Sequence, residues 1–134
     1  MAKIIRSKDI KSSNKTYQPP YGNWYGICSE TVDNPKMVMT RTIIPPGGRN
    51  RAHYHVNCNA GMYQVKGRRR IFIGPSHDRQ EFMAGVGDFI FIPRGEIHGT
   101  MNLSDTEPVE LITCYCGVSS PEEAQTIYVD PPAE

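Results

Sequence analysis

Residues 87–102 read Gly87-Asp88-Phe89-Ile90-Phe91-Ile92-Pro93-Arg94-Gly95-Glu96-Ile97-His98-Gly99-Thr100-Met101-Asn102. Within this stretch 89–92 is a β-branched and aromatic run, the composition of a strand. Gly87-Asp88 supplies the turn before it and Pro93-Arg94-Gly95 the turn after it. Proline fixes φ and glycine accepts a turn that a side chain would hinder, so the chain reverses over 93–95 and swings His98 back toward the sheet.

The same grammar runs outward in both directions. Segments 36–44, 63–65, 70–73, 109–115 and 126–129 have strand composition, and Pro45-Pro46-Gly47-Gly48, Gly74-Pro75 and Gly85-Val86 punctuate them. No long 3.6-residue periodicity occurs. The one helical cue is Ser120-Pro121-Glu122-Glu123, a capping serine with proline at the first helical position and glutamate at the third. Many short strands with regular turns, and no internal repeat, predict an all-β sandwich or barrel with a short helical turn near the C-terminus.

At 134 residues the chain fits one domain. Residues 1–18 carry five lysines and arginines among few large apolar side chains and read as a flexible or edge-associated arm, leaving 19–134 as the barrel domain. Fifteen basic against fourteen acidic residues give no field that would gather nucleic acid or press the protein onto a membrane. The apolar runs fall far short of the roughly 20 residues that span a bilayer, and the N-terminus has no apolar signal core, so a soluble cytoplasmic protein is expected. The four cysteines read as reduced thiols: Cys58 as a small buried filler, Cys114 and Cys116 as barrel lining.

His53 and His55 stand two apart in Arg51-Ala52-His53-Tyr54-His55. On a strand, alternate residues project from one face about 6.5–7 Å apart, so two imidazoles can converge on one ion. The spacing admits a metal without choosing one, and it equally suits two hydrogen-bonded histidines on an edge strand. His77, in a polar loop, reads as a surface histidine.

Two motifs together resemble the cupin family. Gly87, Pro93, Gly95, His98 and Asn102 fill every marked position of the family's second motif, and Gly47, His53, His55 and Gly67 match its first. The resemblance covers about residues 40–118 and implies a single cupin barrel of double-sheet jelly-roll form. It further implies one divalent metal per chain held by His53, His55 and His98, with Asn102 supporting the strand end. Iron(II) is the ion it favours; zinc, manganese, nickel and copper accept the same ligands.

The sequence departs from the family at one ligand. The first motif's glutamate falls at Asn59 or Ala60, and neither supplies a carboxylate. The resemblance therefore implies three neutral histidines, with Asn59 as a possible weak fourth ligand through its amide oxygen. Losing the anionic ligand leaves more positive charge on the ion and favours substrates that chelate as anions. Cupins of this kind include three-histidine iron dioxygenases of thiols and β-diketones, so the resemblance implies an oxidoreductase acting on a small chelating molecule. Non-redox isomerase, lyase or cyclase chemistry, and small-molecule binding without catalysis, stay open beside it.

If Ala60 faces inward, alternation turns Met62 and Gln64 inward as well, and Tyr63 between the sheets. Among Arg68, Arg69 and Arg70 at least one is expected to point inside, and Arg70, Gln64 and Met62 are the candidate substrate contacts. Exposed sheet edges give a barrel of this size a reason to form a homodimer.

Overall fold

Strict alternation builds the central pair of strands. In the computed structural model, which describes residues 1–13 and 22–129, β1 (Gly22–Ile27) leads into β2 (Met37–Ile44), which buries Val38, Thr40, Thr42 and Ile44 and turns the residues between them outward. Such a period of two is what a sheet with one covered face requires. The chain continues through β3 (His53–His55), β4 (Ala60–Lys66), β5 (Arg69–Ile73), β6 (Gln80–Ala84), β7 (Phe89–Ile92) and β8 (His98–Met101). It ends in β9 (Val109–Cys116), α1 (Pro121–Ala124) and β10 (Thr126–Tyr128). β9 pairs with β2 from Met37 opposite Cys116 to Ile44 opposite Val109, and buries Val109, Leu111 and Thr113.

Two five-stranded antiparallel sheets result, in the orders β1-β2-β9-β4-β7 and β10-β3-β8-β5-β6. This is the all-β double-sheet jelly roll expected from the strand and turn pattern. Ile44, Val109 and Leu111 with Met62 form one apolar cluster between the sheets. Cys28, Val38, Cys58, Val118 and Ala124 form another. The interior also holds Thr40, Thr42, Thr100 and Thr113, so it is not filled by hydrocarbon alone.

The helical turn forms where the cap predicts. Ser120 Oγ accepts from the Glu123 amide at 3.1 Å, Pro121 opens the helix, and Gln125 ends it in the left-handed region at φ 53°. Asn102 is 1 % exposed; its amide donates to the carbonyls of Ile44, Pro45 and Glu107 and accepts from the Ser104 N–H. It ties the end of β8 to the β2 end, as expected.

Four strands lie outside the ranges that composition marks: β1, β6, β8 and the three-residue β3, which only its histidine pair points to. β1 carries two glycines, and β6 is an edge strand exposed at four of five positions, so neither shows alternation. β8 contains Gly99, whose missing side chain is replaced by the ring of Phe72 on β5: a Cβ there would meet Phe72 Cζ at 2.1 Å. Of the N-terminal arm, Ser13 bridges Asn23, and the expected boundary at residue 18 falls outside the described residues.

Candidate metal centre

The pleat of β3 buries His53 and His55 and leaves Tyr54 half-buried on the other side. His98, at the start of β8, sits directly opposite His53 in the register of the two strands. The reversal at 93–95 is tied to the same strand: Gly95 takes φ +83°, and its N–H donates to the carbonyl of His55 at 2.8 Å. Ring centroids lie 4.3 Å apart for His53 and His98, 5.1 Å for His53 and His55, and 5.4 Å for His55 and His98. One ligand atom from each ring lies within 4.8 Å of the others.

Each imidazole is held from behind. His53 Nδ1 donates to its neighbour carbonyl of Arg51 at 2.7 Å, and His98 Nδ1 to that of Glu96 at 2.9 Å. His55 Nδ1 pairs with the Thr126 hydroxyl of β10 at 3.0 Å. A carbonyl only accepts, so the proton of His53 and of His98 is on Nδ1 and Nε2 carries a lone pair. Burial keeps the rings neutral: it lowers the pKa of His53, brings that of His55 to about 4 with help from His53, and brings that of His98 to about 3. For His98 the neighbouring His53 and the Arg69 guanidinium add to the lowering. Neutral, pre-oriented imidazoles with outer hydrogen-bond partners are what a divalent ion needs, so the residues present fit a metal.

Two cavities meet at the histidines. An inner chamber of about 50 Å³ lies between the sheets, walled by Ile44, Met62, Ile71, Ile92 and Leu111 together with Arg69 and the polar Thr42, Asn50, Thr100 and Thr113. A vestibule of about 240 Å³ lies on the other side, among Tyr25, Tyr115, Glu122, Thr126 and Tyr128. His53, His55 and Tyr115 line both. Ala60 is fully buried and stands across from Tyr115 in register, and the Tyr115 ring lies 4.9 Å from that of His55. Among the described residues no carboxylate joins the three histidines.

Several expected placements are corrected. Asn59 is exposed, and its Oδ1 accepts from the Arg94 N–H at 3.0 Å, so it braces the reversal and turns away from the histidines. Arg70 faces outward and pairs with Glu81 at 3.7 Å. Arg69 is the arginine that points inside, 3 % exposed. Gln64 is fully buried as alternation requires, but it does not line the chamber; its Oε1 accepts from Arg69 Nε at 2.8 Å. Met62 does line it. Tyr63 is 40 % exposed and packs on Phe89, because the outer face of its sheet is open there. Cys114 and Cys116 share that outer side, since Thr113 and Tyr115 take the inner one; all four cysteines are free thiols. Cys58 is buried, which pushes its thiol up to about 11. His77 lies exposed in a single turn of 3₁₀ helix.

Arg69, Tyr115 and Thr126 are the site residues that sequence reading did not single out. Arg69 lay inside a basic run, and Tyr115 and Thr126 are unremarkable strand residues whose contacts exist only across strands.

No curated protein sequence matches the chain. Among solved structures, the polyketide cyclase RemF from Streptomyces resistomycificus superposes with a TM-score of 0.74 at 20 % identity, over 96 % of this chain and 86 % of that one. An oxalate decarboxylase from Bacillus subtilis gives 0.74 at 17 % identity, over 96 % of this chain and 32 % of its own. That of Lactobacillus farciminis, solved as a formate complex, gives 0.70 at 21 %, over 91 % and 34 %. The chain thus spans about a third of the length of the decarboxylases, and at these identities the likeness is one of fold. The family model described as cupin matches residues 8–127, nearly the whole of the two-sheet body and all three histidines, and the chain belongs to the cupin family.

Proposed function

We propose that this cupin is a mononuclear metal enzyme acting on a small chelating molecule, with dioxygenase chemistry at iron(II) as the leading reading. The observation that supports it is the convergence of three neutral, backed imidazoles without a carboxylate among the described residues, beside a chamber walled by isoleucine, leucine and methionine together with Thr42, Asn50, Thr100, Thr113 and Arg69. His53, His55 and His98 would hold the ion. When bound, the metal supplies Lewis acidity toward a chelating anion and, as iron(II), reducing electrons for dioxygen supplied from solution. The chain's own contribution is to exclude bulk water with Ile44, Ile71, Ile92 and Leu111, to keep Nε2 of His53 and His98 unprotonated through their Nδ1–carbonyl bonds, and to orient His55 through Thr126. Among the described residues none that lines the inner chamber is a carboxylate, and Glu122 lies in the vestibule.

Non-redox chemistry is the second reading, and RemF favours it: that polyketide cyclase matches this chain over most of both lengths. Metal analysis of untagged protein, followed by oxygen uptake of the iron-loaded form with diketones, thiols and catechols, separates the readings. One metal per chain, lost in His98→Ala, with substrate-dependent oxygen uptake is the expected result. Anaerobic turnover with zinc would instead favour cyclase, lyase or isomerase chemistry. Absence of metal under reducing, chelator-free conditions would sink both and leave a small-molecule binder.

We further propose a cytoplasmic homodimer. Four free thiols suit a reducing compartment, and no helix among the described residues is long and apolar enough to cross a membrane. Tyr63, Phe82, Met83, Phe89 and Phe91 expose on the order of 600 Å² of connected apolar surface, at the top of what a monomer ordinarily shows.

A further inference from the structure

The outer face of the first sheet carries sulfur on two neighbouring strands at once. β2 alternates strictly, burying Val38 and Thr40 and leaving Met37 and Met39 half-buried on the other side. β9 alternates against it: Thr113 and Tyr115 line the inner chamber, so Cys114 and Cys116 take the outer side. The antiparallel register sets Met37 across from Cys116 and Met39 across from Cys114. Residues directly opposite in such a pair point to one face with Cβ atoms about 4.5–5.5 Å apart, and residues two apart on one strand stand about 6.5–7 Å apart. Two thioethers and two thiols therefore occupy the corners of one small rectangle.

The thiols are neighbours in fact as well as in register. Cys114 shares a hydrogen bond with Cys116, and burial, followed by that neighbour, raises the Cys114 pKa. A disulfide does not suit the pair, because same-face spacing along a strand sits at or beyond the roughly 4.4–6.8 Å between Cα atoms that the bond tolerates. A metal ion bridging two sulfurs, at about 2.3 Å from each, spans a wider gap than an S–S bond of about 2.05 Å. Room for it is present. Gly61 of β4 lies across from Cys114, a Cβ there would meet nothing within 4 Å, and Cys116 is exposed. Methionine has three rotatable bonds and a polarizable sulfur, so Met37 and Met39 can bring theirs over the strand pair.

The donor set selects the ion. Among the described residues, the group of three or more histidine, cysteine or acidic side chains that converges is His53, His55 and His98, so no third donor of those kinds joins Cys114 and Cys116. Zinc, which takes four such ligands in a structural site, is left two short. Thiolate with thioether is the ligand set of copper(I). We propose that Met37, Met39, Cys114 and Cys116 form a copper(I) site on the outer face of the sheet. Coordination releases the proton of each thiol to solvent and leaves the oxidation state of the ion unchanged. Tyr115, between the two cysteines, turns to the opposite face, where its ring lies 4.9 Å from that of His55. The sulfur site and the three histidines thus flank one sheet without sharing a ligand, and the first does not depend on the reading of the second.

The test titrates the reduced, oxygen-free full chain with copper(I) in competition with a chromophoric copper(I) chelator, as wild type and as His98→Ala, which disables the imidazole centre. One copper(I) per chain is expected in His98→Ala, with X-ray absorption showing sulfur neighbours and no imidazole. Cys114→Ser with Cys116→Ser should remove this copper. Met37→Leu with Met39→Leu, which keeps the apolar volume, should weaken it by at least about tenfold. Absence of copper from His98→Ala, copper held there by nitrogen, or an affinity unchanged by either paired substitution overturns the proposal. Should these variants fail to fold, X-ray absorption of the copper-loaded wild type decides alone: sulfur neighbours support the site, and nitrogen alone, or no bound copper, overturns it.

Discussion

Thr126 touches the metal centre only through His55, yet it fixes which way that ring faces. Outer partners of this kind set ligand tautomer and orientation, and their loss costs about 10–100-fold in metal affinity. Thr126→Val should therefore weaken metal binding by about that factor while leaving the melting temperature of the metal-free chain nearly unchanged, measurable by competition with a chromophoric chelator. Tyr25 gives a pH signature. Burial, then the charges of Glu122, Tyr128 and Cys28, push its phenol up to about 12. The folded state thus keeps a proton that the unfolded chain releases near pH 10, and stability present below pH 10 is lost as pH rises toward 12. Tyr25→Phe should flatten that alkaline decline in denaturant titrations; an unchanged slope would count against the assignment. At this scale the three histidines were legible through the two motifs that resemble the family's, since the spacing of His53 and His55 by itself suits an edge strand equally well. Arg69 was not: alternation carried correctly from Ala60 to Gln64, but the turn at Gly67 resets the parity, and no count through it chooses between Arg69 and Arg70.

β8 places His98 next to a glycine because β5 needs the space. Phe72 lies over Gly99, the neighbour of His98, and covers the sheet from outside with Ala52, Ile97 and Val129 packed nearby. A methyl group at Gly99 cannot be accommodated without moving the ring. Gly99→Ala should destabilise the fold by about 1–3 kcal/mol, the usual cost of overpacking, and Gly99→Ala with Phe72→Leu should recover part of it. Chemical denaturation of the single and double variants checks this; additive losses would refute the contact. Strands with β-branched composition and the capped turn at Ser120 could be read directly. β6 and β8 could not, because an exposed edge and a glycine filled from another strand carry no local pattern.

The molecule's outer surface divides unevenly. Phe89 is 83 % and Phe91 66 % exposed on the edge strand β7, next to Phe82 on the edge strand β6 of the other sheet. Covering this side with a second copy would bury an area close to the roughly 800 Å² per partner of a standard interface. Light scattering should report a dimer, and Phe89→Asp should shift it to monomer without loss of bound metal. A wild-type monomer at micromolar concentration would rule the dimer out. Sequence reading expected Tyr63 inside since an apolar residue on a strand ordinarily faces a core. Whether the far face of a sheet is covered within one chain is a property of the assembled fold, and composition does not hold it.

The backing of the three histidines also sets a chronology. His53 and His98 lean on carbonyls two residues before them, so each is oriented as soon as its own turn forms. His55 waits for Thr126, which arrives on β10 after α1 has turned the chain. A nascent chain that has emerged as far as residue 116 would already own all three imidazoles but only two aimed ones. Since synthesis runs from the N-terminus, β10 leaves the ribosome after the other nine strands described, and it is the one that completes the three-histidine cluster. Ion capture would thereby be a late act of folding, and a chain truncated after α1 would collect metal poorly however well its sheets had paired.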